Sequence, residues 1–250
     1  MTRRIRILQT VAIATSLVFL VGMVSPTLDL SREKIHRARC VSNLKTLWSA
    51  FLTFTKEHDG HLPAVGWCGR DTEHDWTWGG NVISVPQTDP AACSRIRIEE
   101  GSIWPYVTGM RRVGPYGGGI GPKDEWYADP RENIYLCPTA GAVGRKRGLS
   151  YSMNYHLEDP PGGTEPEIIA MKLSSIKNPA EIILLVEETE LTINDGCFIV
   201  TGHENDVEDL GLRHSDGGHL LFCDGRVGWI HKVELLDLMN ADSTHFVPDI

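Results

Sequence analysis

The chain has 250 residues, enough for one domain or for one domain with an N-terminal anchor. Apolar residues make up 41% of the sequence and charged residues 23%, which is ordinary for a globular protein and excludes global disorder. The net charge of -9 argues against sequence-independent binding to nucleic acid, because the chain has no surplus of lysine and arginine to neutralise phosphates. We therefore expect no nucleic-acid partner.

The N-terminal segment predicts a membrane anchor. Arg3, Arg4 and Arg6 precede an uncharged stretch from Ile7 to Val24. As a helix with about 1.5 Å per residue, this stretch is roughly 27 Å long, close to the ~30 Å apolar slab of a bilayer. The arginines place the N-terminus in the cytoplasm and the rest of the chain on the outer side of the cytoplasmic membrane. A cleavable secretory signal is the alternative interpretation.

A second helical pattern occupies residues 31–60. Its apolar residues recur at spacings of three or four, which is typical of one face of an amphipathic helix. The predicted face consists of Ile35, Ala38, Val41, Leu44, Trp48, Phe51 and Thr55. Asp59-Gly60 predicts the end of the helix. Together with the preceding stretch, this pattern predicts one long helix that bends near Pro26 and lies against a sheet.

Residues 61–250 predict a sheet domain. Strand patterns occur at 132–138, 149–157, 180–188, 196–202 and 219–232, and residues 64–130 form a Trp-rich insert with few regular elements. Several strands after one long helix indicate an α+β fold with an antiparallel sheet packed on that helix. The predicted organisation is thus an anchor at 1–30, an amphipathic helix at 31–60 and the sheet domain at 61–250.

One segment of this domain, RHSDGGHLLFCDGRVGWI at residues 213–230, has a distinctive spacing. His214 is followed by nine residues and then by Asp224-Gly225. Asp-Gly predicts a two-residue type I′ hairpin turn, in which both residues have positive φ. The strand 219–223 then separates His214 from Asp224 by roughly 16 Å, too far for a shared metal or an acid–base couple. We therefore interpret the motif as structural.

Several separated segments resemble one bacterial family. They are RARCVSNLKTLWSAFLTFTKEHDGHLP at 37–63, YLCP at 135–138, SYSMN at 150–154, IKNPAEIILLVEE at 176–188 and the hairpin at 213–230. Together they resemble prepilin-type, pseudopilin-like proteins with a C-terminal His-X9-Asp-Gly domain. The resemblance implies a pilin-like fold and a structural or assembly role in the cell envelope, related to type II secretion or type IV pili. It implies no catalysis, and partners among other pilin-like or secretion-machinery proteins.

The six cysteines of an exported protein predict disulfides, and the absence of a CxxC pair gives little support to a metal knuckle. The sequence leaves their connectivity open. In the resembling pattern Cys40 lies on the helix and Cys137 ends a strand, which favours a bond between them. The other candidate pairs are Cys68 with Cys93 in the insert and Cys197 with Cys223 between two strands. Free buried thiols are the alternative.

An acidic loop at 201–218 suggests a cofactor site. Carboxylates in flexible loops bind Ca²⁺, and the candidate ligands are Glu204, Asp206, Asp209 and Asp216, with Glu208 beside them. By analogy, some secretion pseudopilins carry calcium in a C-terminal loop. The alternative is a solvated acidic loop. A zinc site from His203, His214 and His219 is a further hypothesis, and no other cofactor is expected.

The predicted function is a membrane-anchored structural or assembly protein. The Trp-rich insert offers an alternative, a binding module for glycans or peptides, because aromatic ring faces stack on sugars. Its tryptophans are Trp67, Trp76, Trp78, Trp104 and Trp126. They could equally form the core of the insert. A metal-dependent hydrolase around residues 201–224 is the third hypothesis.

Overall fold

The computed structural model describes residues 2–67, 72–77, 96–114, 117–158, 170–199, 208–231, 233–234 and 245–248, with side chains from Leu28 onward. The chain divides into two compact units, residues 1–38 and residues 39–250. The helices are α1 (Thr2–Glu57), α2 (Trp104–Thr108), α3 (Asp124–Ala128) and α4 (Ala142–Arg147). The strands are β1 (Tyr151–Asn154), β2 (Ile183–Glu187), β3 (Cys197–Phe198), β4 (Gly217–Phe222) and β5 (Val227–His231).

Helix α1 buries one face in the larger unit. Its buried apolar side chains are Cys40, Leu44, Leu47, Ala50, Phe51 and Phe54, which recur every three or four residues. The predicted face is confirmed in part, because its residues Leu44, Phe51 and Thr55 are buried, whereas Ile35 is 65% exposed and Trp48 is only half-buried. The buried face therefore overlaps the predicted one and also includes the neighbouring residues Cys40, Leu47 and Phe54. Periodicity locates an apolar face to within a neighbouring row, and the packing partners select the row that becomes buried.

The end of α1 is confirmed at Asp59 and Gly60. Both residues have positive φ, 52° and 87°, which stops the helix. The Gly60 N–H donates a 2.9 Å hydrogen bond to the Thr55 carbonyl, which satisfies one of the free carbonyl groups of the last turn. Lys172 Nζ lies 2.6 Å from Asp59 Oδ2 and attaches this turn to a distant loop.

The five strands form one sheet in the order β3-β1-β2-β4-β5. The apolar run at 180–188 supplies β2, whose five residues are all buried at the centre of the sheet. The pairs β1–β2, β2–β4 and β4–β5 are antiparallel, whereas β1 and β3 are parallel. The α+β class is confirmed, but the sheet is mixed rather than antiparallel. The short β3 joins it through only two paired positions, so its direction depends on the long connection that precedes it.

Both faces of the sheet are covered. One face shares a core with α1, in which Leu47 and Phe51 of the helix belong with Leu185 of β2 and Leu221 of β4. The opposite face carries a second core that includes Val186, Phe198, Phe222 and Phe246. The segment 245–248 is held there, because Asn154 Nδ2 donates 2.9 Å hydrogen bonds to the carbonyls of Ile183 and Phe246.

The strand predicted at 132–138 is wrong. These residues form successive turns, and the buried side chain of Asn133 organises them. Asn133 Nδ2 donates to the carbonyls of Tyr127 and Gly148, and its Oδ1 accepts from the Tyr135 N–H. A buried side chain thus takes the place of a strand partner in satisfying the backbone.

The predicted membrane anchor is also corrected. In the part of the chain that the structure describes, no helix has an apolar stretch long enough to cross a membrane. This finding overturns the single-pass anchor and the localisation in the cytoplasmic membrane that depended on it. The side chains of the predicted span, residues 7–24, lie outside the described residues.

Candidate metal centre

Four side chains from four distant segments meet in the core between α1 and the sheet. Cys40 comes from α1, Cys137 from the turn before Pro138, Glu187 from the last position of β2, and His214 from the turn before β4. Cys40, Cys137 and His214 are 0% exposed and Glu187 is 1% exposed. We call these four residues the core cluster.

The side-chain atoms of the core cluster lie close together. His214 Nε2 is 3.3 Å from Cys137 Sγ and 3.5 Å from Glu187 Oε1. One sulfur, nitrogen or oxygen atom of each residue lies within 4.8 Å of those of the other three. The arrangement converges two thiols, an imidazole and a carboxylate on one point.

Hydrogen bonds outside the core cluster orient its members. The His219 N–H donates a 2.7 Å hydrogen bond to Glu187 Oε2, and His219 Nδ1 lies 3.2 Å from the same oxygen. Glu187 Oε1 accepts no hydrogen bond from the described residues and is the oxygen nearest to His214. Trp229 Nε1 donates to the His214 carbonyl, and the Cys40 thiol lies 3.2 Å from the Tyr151 hydroxyl.

The two thiols of the core cluster differ in acidity. Burial raises the pKa of Cys40 well above its usual range. A hydrogen bond from Cys40 lowers the pKa of Cys137 to about 7, against the opposing effect of its own burial. Cys137 is therefore the more acidic thiol of the pair.

The imidazole and the carboxylate form a buried ion pair. Burial acts against the charged ring, but the nearby Cys137 thiol and the Glu187 carboxylate, 3.5 Å away, raise the pKa of His214 to about 10. Burial likewise acts to raise the pKa of Glu187, but His214 and His219 hold it well below its usual range. Arg213 NH1, 3.9 Å from Glu187 Oε1, adds a further positive charge on the same side.

The core cluster has the chemistry of a metal-binding site and lacks the access of an active site. Thiolate, imidazole and carboxylate are the side-chain ligands that divalent transition metals use in proteins. Since none of the four residues is exposed by more than 1%, a substrate from solvent has no route to them in this conformation. Of the residues that the structure describes, no other group of three His, Cys, Asp or Glu side chains converges in this way.

The His-X9-Asp-Gly motif is divided between this cluster and the tip of its hairpin. His214 and Asp224 lie beyond opposite ends of β4. Asp224 Oδ1 accepts a 2.8 Å hydrogen bond from the Arg226 N–H, and Gly225 has φ +84°. Gly225 lies directly against the Trp48 indole, and its carbonyl accepts a 2.6 Å hydrogen bond from Lys45 Nζ.

The predicted two-residue turn is wrong. Phe222 and Arg226 are the last hydrogen-bonded pair of the hairpin, through Phe222 N–H and the Arg226 carbonyl, so residues 223–225 form the loop. Only Gly225 in this loop has positive φ. Such three-residue loops combine a type I turn with a left-handed residue, commonly glycine. The left-handed residue of this loop is Gly225, the same residue that packs against Trp48 of α1.

The predicted disulfides are not formed among the described cysteines. Cys40, Cys137, Cys197 and Cys223 are all free and buried. Cys40 and Cys137 are neighbours in the core cluster, as thiols. Cys197 lies on β3 and Cys223 follows β4, with β1 and β2 between them. At about 4.8 Å per strand this places them roughly 14 Å apart, beyond the reach of a disulfide.

Other predicted sites lie partly or wholly outside the described residues. Cys68, Cys93, Glu204, Asp206 and His203 are in this group. Of the candidate calcium ligands that are described, Asp209 and Asp216 are both exposed, and they belong to no converging group. His214 and His219 both contact Glu187.

Two tryptophans of the insert, Trp76 and Trp104, belong to the core, whereas Trp67 and Trp126 are half-buried and pack against it. Trp76 and Trp104 are 0% exposed, and both stack on Tyr135. Trp76 Nε1 also donates to the carbonyls of Val65 and Gly196. Their ring faces are therefore closed to a sugar. Trp78 lies outside the described residues.

Sequence reasoning missed the composition of the core cluster. The sequence predicts a Cys40–Cys137 disulfide and places His214 in the hairpin motif and in a hypothetical three-histidine zinc site, but it predicts no role for Glu187. The available signal was an acidic pair, Glu187-Glu188, at the end of an otherwise apolar run in AEIILLVEE. A carboxylate that a buried strand carries into the core requires a partner there.

Comparisons with protein-family models, with curated proteins and with solved structures return no match to this chain. The resemblance to pilin-like proteins therefore remains a prediction from the sequence. The assignment to type II secretion-like machinery finds no support in these comparisons and is not carried further.

Proposed function

We propose that this protein is a non-catalytic structural subunit of pilin-like architecture that assembles with copies of itself through α1. The observation that carries this proposal is that α1 has a buried C-terminal half and, before it, large apolar side chains that are exposed. Its C-terminal half supplies one wall of the core, while Leu28, Leu30 and Ile35, which precede the first buried residue at Cys40, are 51–65% exposed.

The exposed residues have the pattern of a helix–helix contact. Leu28 and Ile35 are seven residues apart, which places them on the same face of a continuous α-helix. Large apolar side chains at such positions lose contact with water only when another helix packs on them. A second copy of α1 presents the same row of apolar side chains, so the two helices can pack against each other through identical surfaces.

The use of the His-X9-Asp-Gly hairpin also supports a structural role. Its aspartate bonds its own turn, its glycine packs on Trp48 of α1, and its histidine is sealed in the core. The motif therefore joins the edge of the sheet to the helix.

The experiment is photo-cross-linking in the full chain. A photo-reactive amino acid replaces Ile35, and a matched control replaces Ile120, which is 91% exposed and lies outside α1. We expect covalent dimers and larger products of the chain from position 35 and none from position 120. Equal yields from both positions, or no self-product from position 35, would contradict assembly through α1.

A further inference from the structure

The geometry points to a structural zinc site formed by Cys40, Cys137, Glu187 and His214. These four residues come from α1, two turns and β2, and their side-chain atoms already converge in the core. The inference is independent of the proposed self-assembly, because it depends only on the interior of the larger unit.

The distances suit tetrahedral coordination. Zinc bonds of about 2.0–2.3 Å in a tetrahedral site place neighbouring ligand atoms roughly 3.3–3.8 Å apart. His214 Nε2 lies 3.3 Å from Cys137 Sγ and 3.5 Å from Glu187 Oε1, and the whole set lies within 4.8 Å. The more distant atoms must move inward to reach this spacing.

Charge balance permits a divalent cation in the buried site. Two thiolates and one carboxylate carry three negative charges when they act as ligands, and a neutral imidazole adds none. One zinc ion and the Arg213 guanidinium, 3.9 Å from Glu187 Oε1, together supply three positive charges. The site with the ion bound therefore places no net charge in the core.

The mixed ligand set selects zinc. Calcium and magnesium require oxygen ligands in larger number, which excludes a site with two sulfurs and one nitrogen. Copper(I) prefers soft sulfur ligands and gains little from a carboxylate. Zinc accepts sulfur, nitrogen and oxygen together in a tetrahedral arrangement.

The orientation of Glu187 provides the second observation for a bound ion. Its side chain is fully buried, Oε2 is held by His219, and Oε1 is left without a hydrogen bond from the described residues and faces the other ligands. A buried carboxylate oxygen that lacks a hydrogen-bond donor is costly, and a metal bond would satisfy it.

The position of the site indicates a structural rather than a catalytic ion. All four coordination positions belong to the protein, and the ligands are sealed from solvent, so no position is left for water or substrate. The ion would connect α1 to the sheet and to the hairpin at once. In such sites the free energy of metal binding contributes directly to the free energy of folding.

The test begins with native mass spectrometry of the full chain, reduced and then supplied with zinc. We expect one zinc ion per chain, with the thiol protons displaced, and a clear rise in melting temperature over the zinc-free protein. Cobalt(II) in place of zinc should give the thiolate charge-transfer bands and the intense visible bands of tetrahedral coordination. Cys40→Ser and His214→Gln should abolish stoichiometric binding.

Cys223→Ser provides the matched control, because Cys223 is equally buried and lies outside the core cluster. It should keep one zinc per chain and the cobalt spectrum. If the ligand variants fail to fold, the wild-type measurements alone decide the question. The inference is overturned if the reduced wild-type chain binds no zinc, if its cobalt spectrum is octahedral, or if Cys223→Ser loses the ion as Cys40→Ser does. It is also overturned if the chain carries a Cys40–Cys137 disulfide and takes up no zinc after reduction.

Discussion

His219 and Glu187 lie on neighbouring strands and hold each other in one orientation. The His219 N–H donates a 2.7 Å hydrogen bond to Glu187 Oε2, and the His219 ring lies beside the same oxygen at 3.2 Å. This contact leaves Oε1 directed at His214, 3.5 Å away. The hairpin therefore contributes twice to the core cluster, once through the His214 side chain and once through the positioning of Glu187.

We predict that His219→Leu weakens zinc binding without removing it. The substitution deletes the ring contact but keeps the β4 backbone N–H, so Glu187 is held less firmly. Losing such an outer contact typically costs roughly 10- to 100-fold in metal affinity. Competition with a chromophoric chelator measures the change. His61→Leu is the control, because His61 contacts the Ala170 carbonyl and no member of the core cluster. The zinc affinity of this variant should match that of the wild type. An unaltered affinity in His219→Leu would remove the positioning role.

Gly225→Ala should destabilise the protein by about 2–4 kcal/mol. Residue 225 has a left-handed backbone conformation, with φ +84°, and an added methyl group would collide with the Trp48 indole. The backbone contributes about 1 kcal/mol and the collision about 1–3 kcal/mol. Chemical denaturation of the full chain gives the difference.

Gly109→Ala is the matched control for Gly225→Ala. Gly109 also has positive φ, +70°, but an added methyl group meets nothing within 4 Å. It should cost only about 1 kcal/mol, from the backbone alone. Equal losses for the two variants would show that the contact between the hairpin and Trp48 contributes nothing to stability.

Asn154→Ala should cost about 2–4 kcal/mol, because three hydrogen bonds of a fully buried side chain are lost. Its Nδ2 bonds the carbonyls of Ile183 and Phe246, and its Oδ1 accepts from the His156 N–H. Asn154→Asp keeps the acceptor and removes both donors. Hydrogen exchange should therefore show faster opening around residues 245–248 in both variants, while the His156 amide stays protected only in Asn154→Asp.

Cys197 and Cys223 should remain thiols that react only after unfolding. Burial raises the pKa of both, and the thiolate is the reactive form, so alkylation of the folded protein is slow. Denaturation without reductant should make both fully reactive towards iodoacetamide. Peptide mapping then reads out each site. A Cys197–Cys223 linked peptide would be incompatible with the strand order reported above.

The sequence by itself determined the features that depend on neighbouring residues. The end of α1 at Asp59-Gly60, the central strand within 180–188 and the hairpin at 213–230 follow from turn propensity and from unbroken apolar runs, which act within a few residues of the chain. The α+β class follows from the order of these elements.

Only the tertiary structure decided which distant residues meet. In the set Cys40, Cys137, Glu187 and His214, each residue lies between 27 and 97 positions from the next one along the chain, and no local spacing marks them as a set. The parallel direction of β3, the burial of Trp76 and the three-residue loop before Arg226 likewise depend on long-range packing. Contacts of this kind form when the helix and the sheet close on a common core, because the chain entropy that they cost is recovered only by the packing of the whole unit.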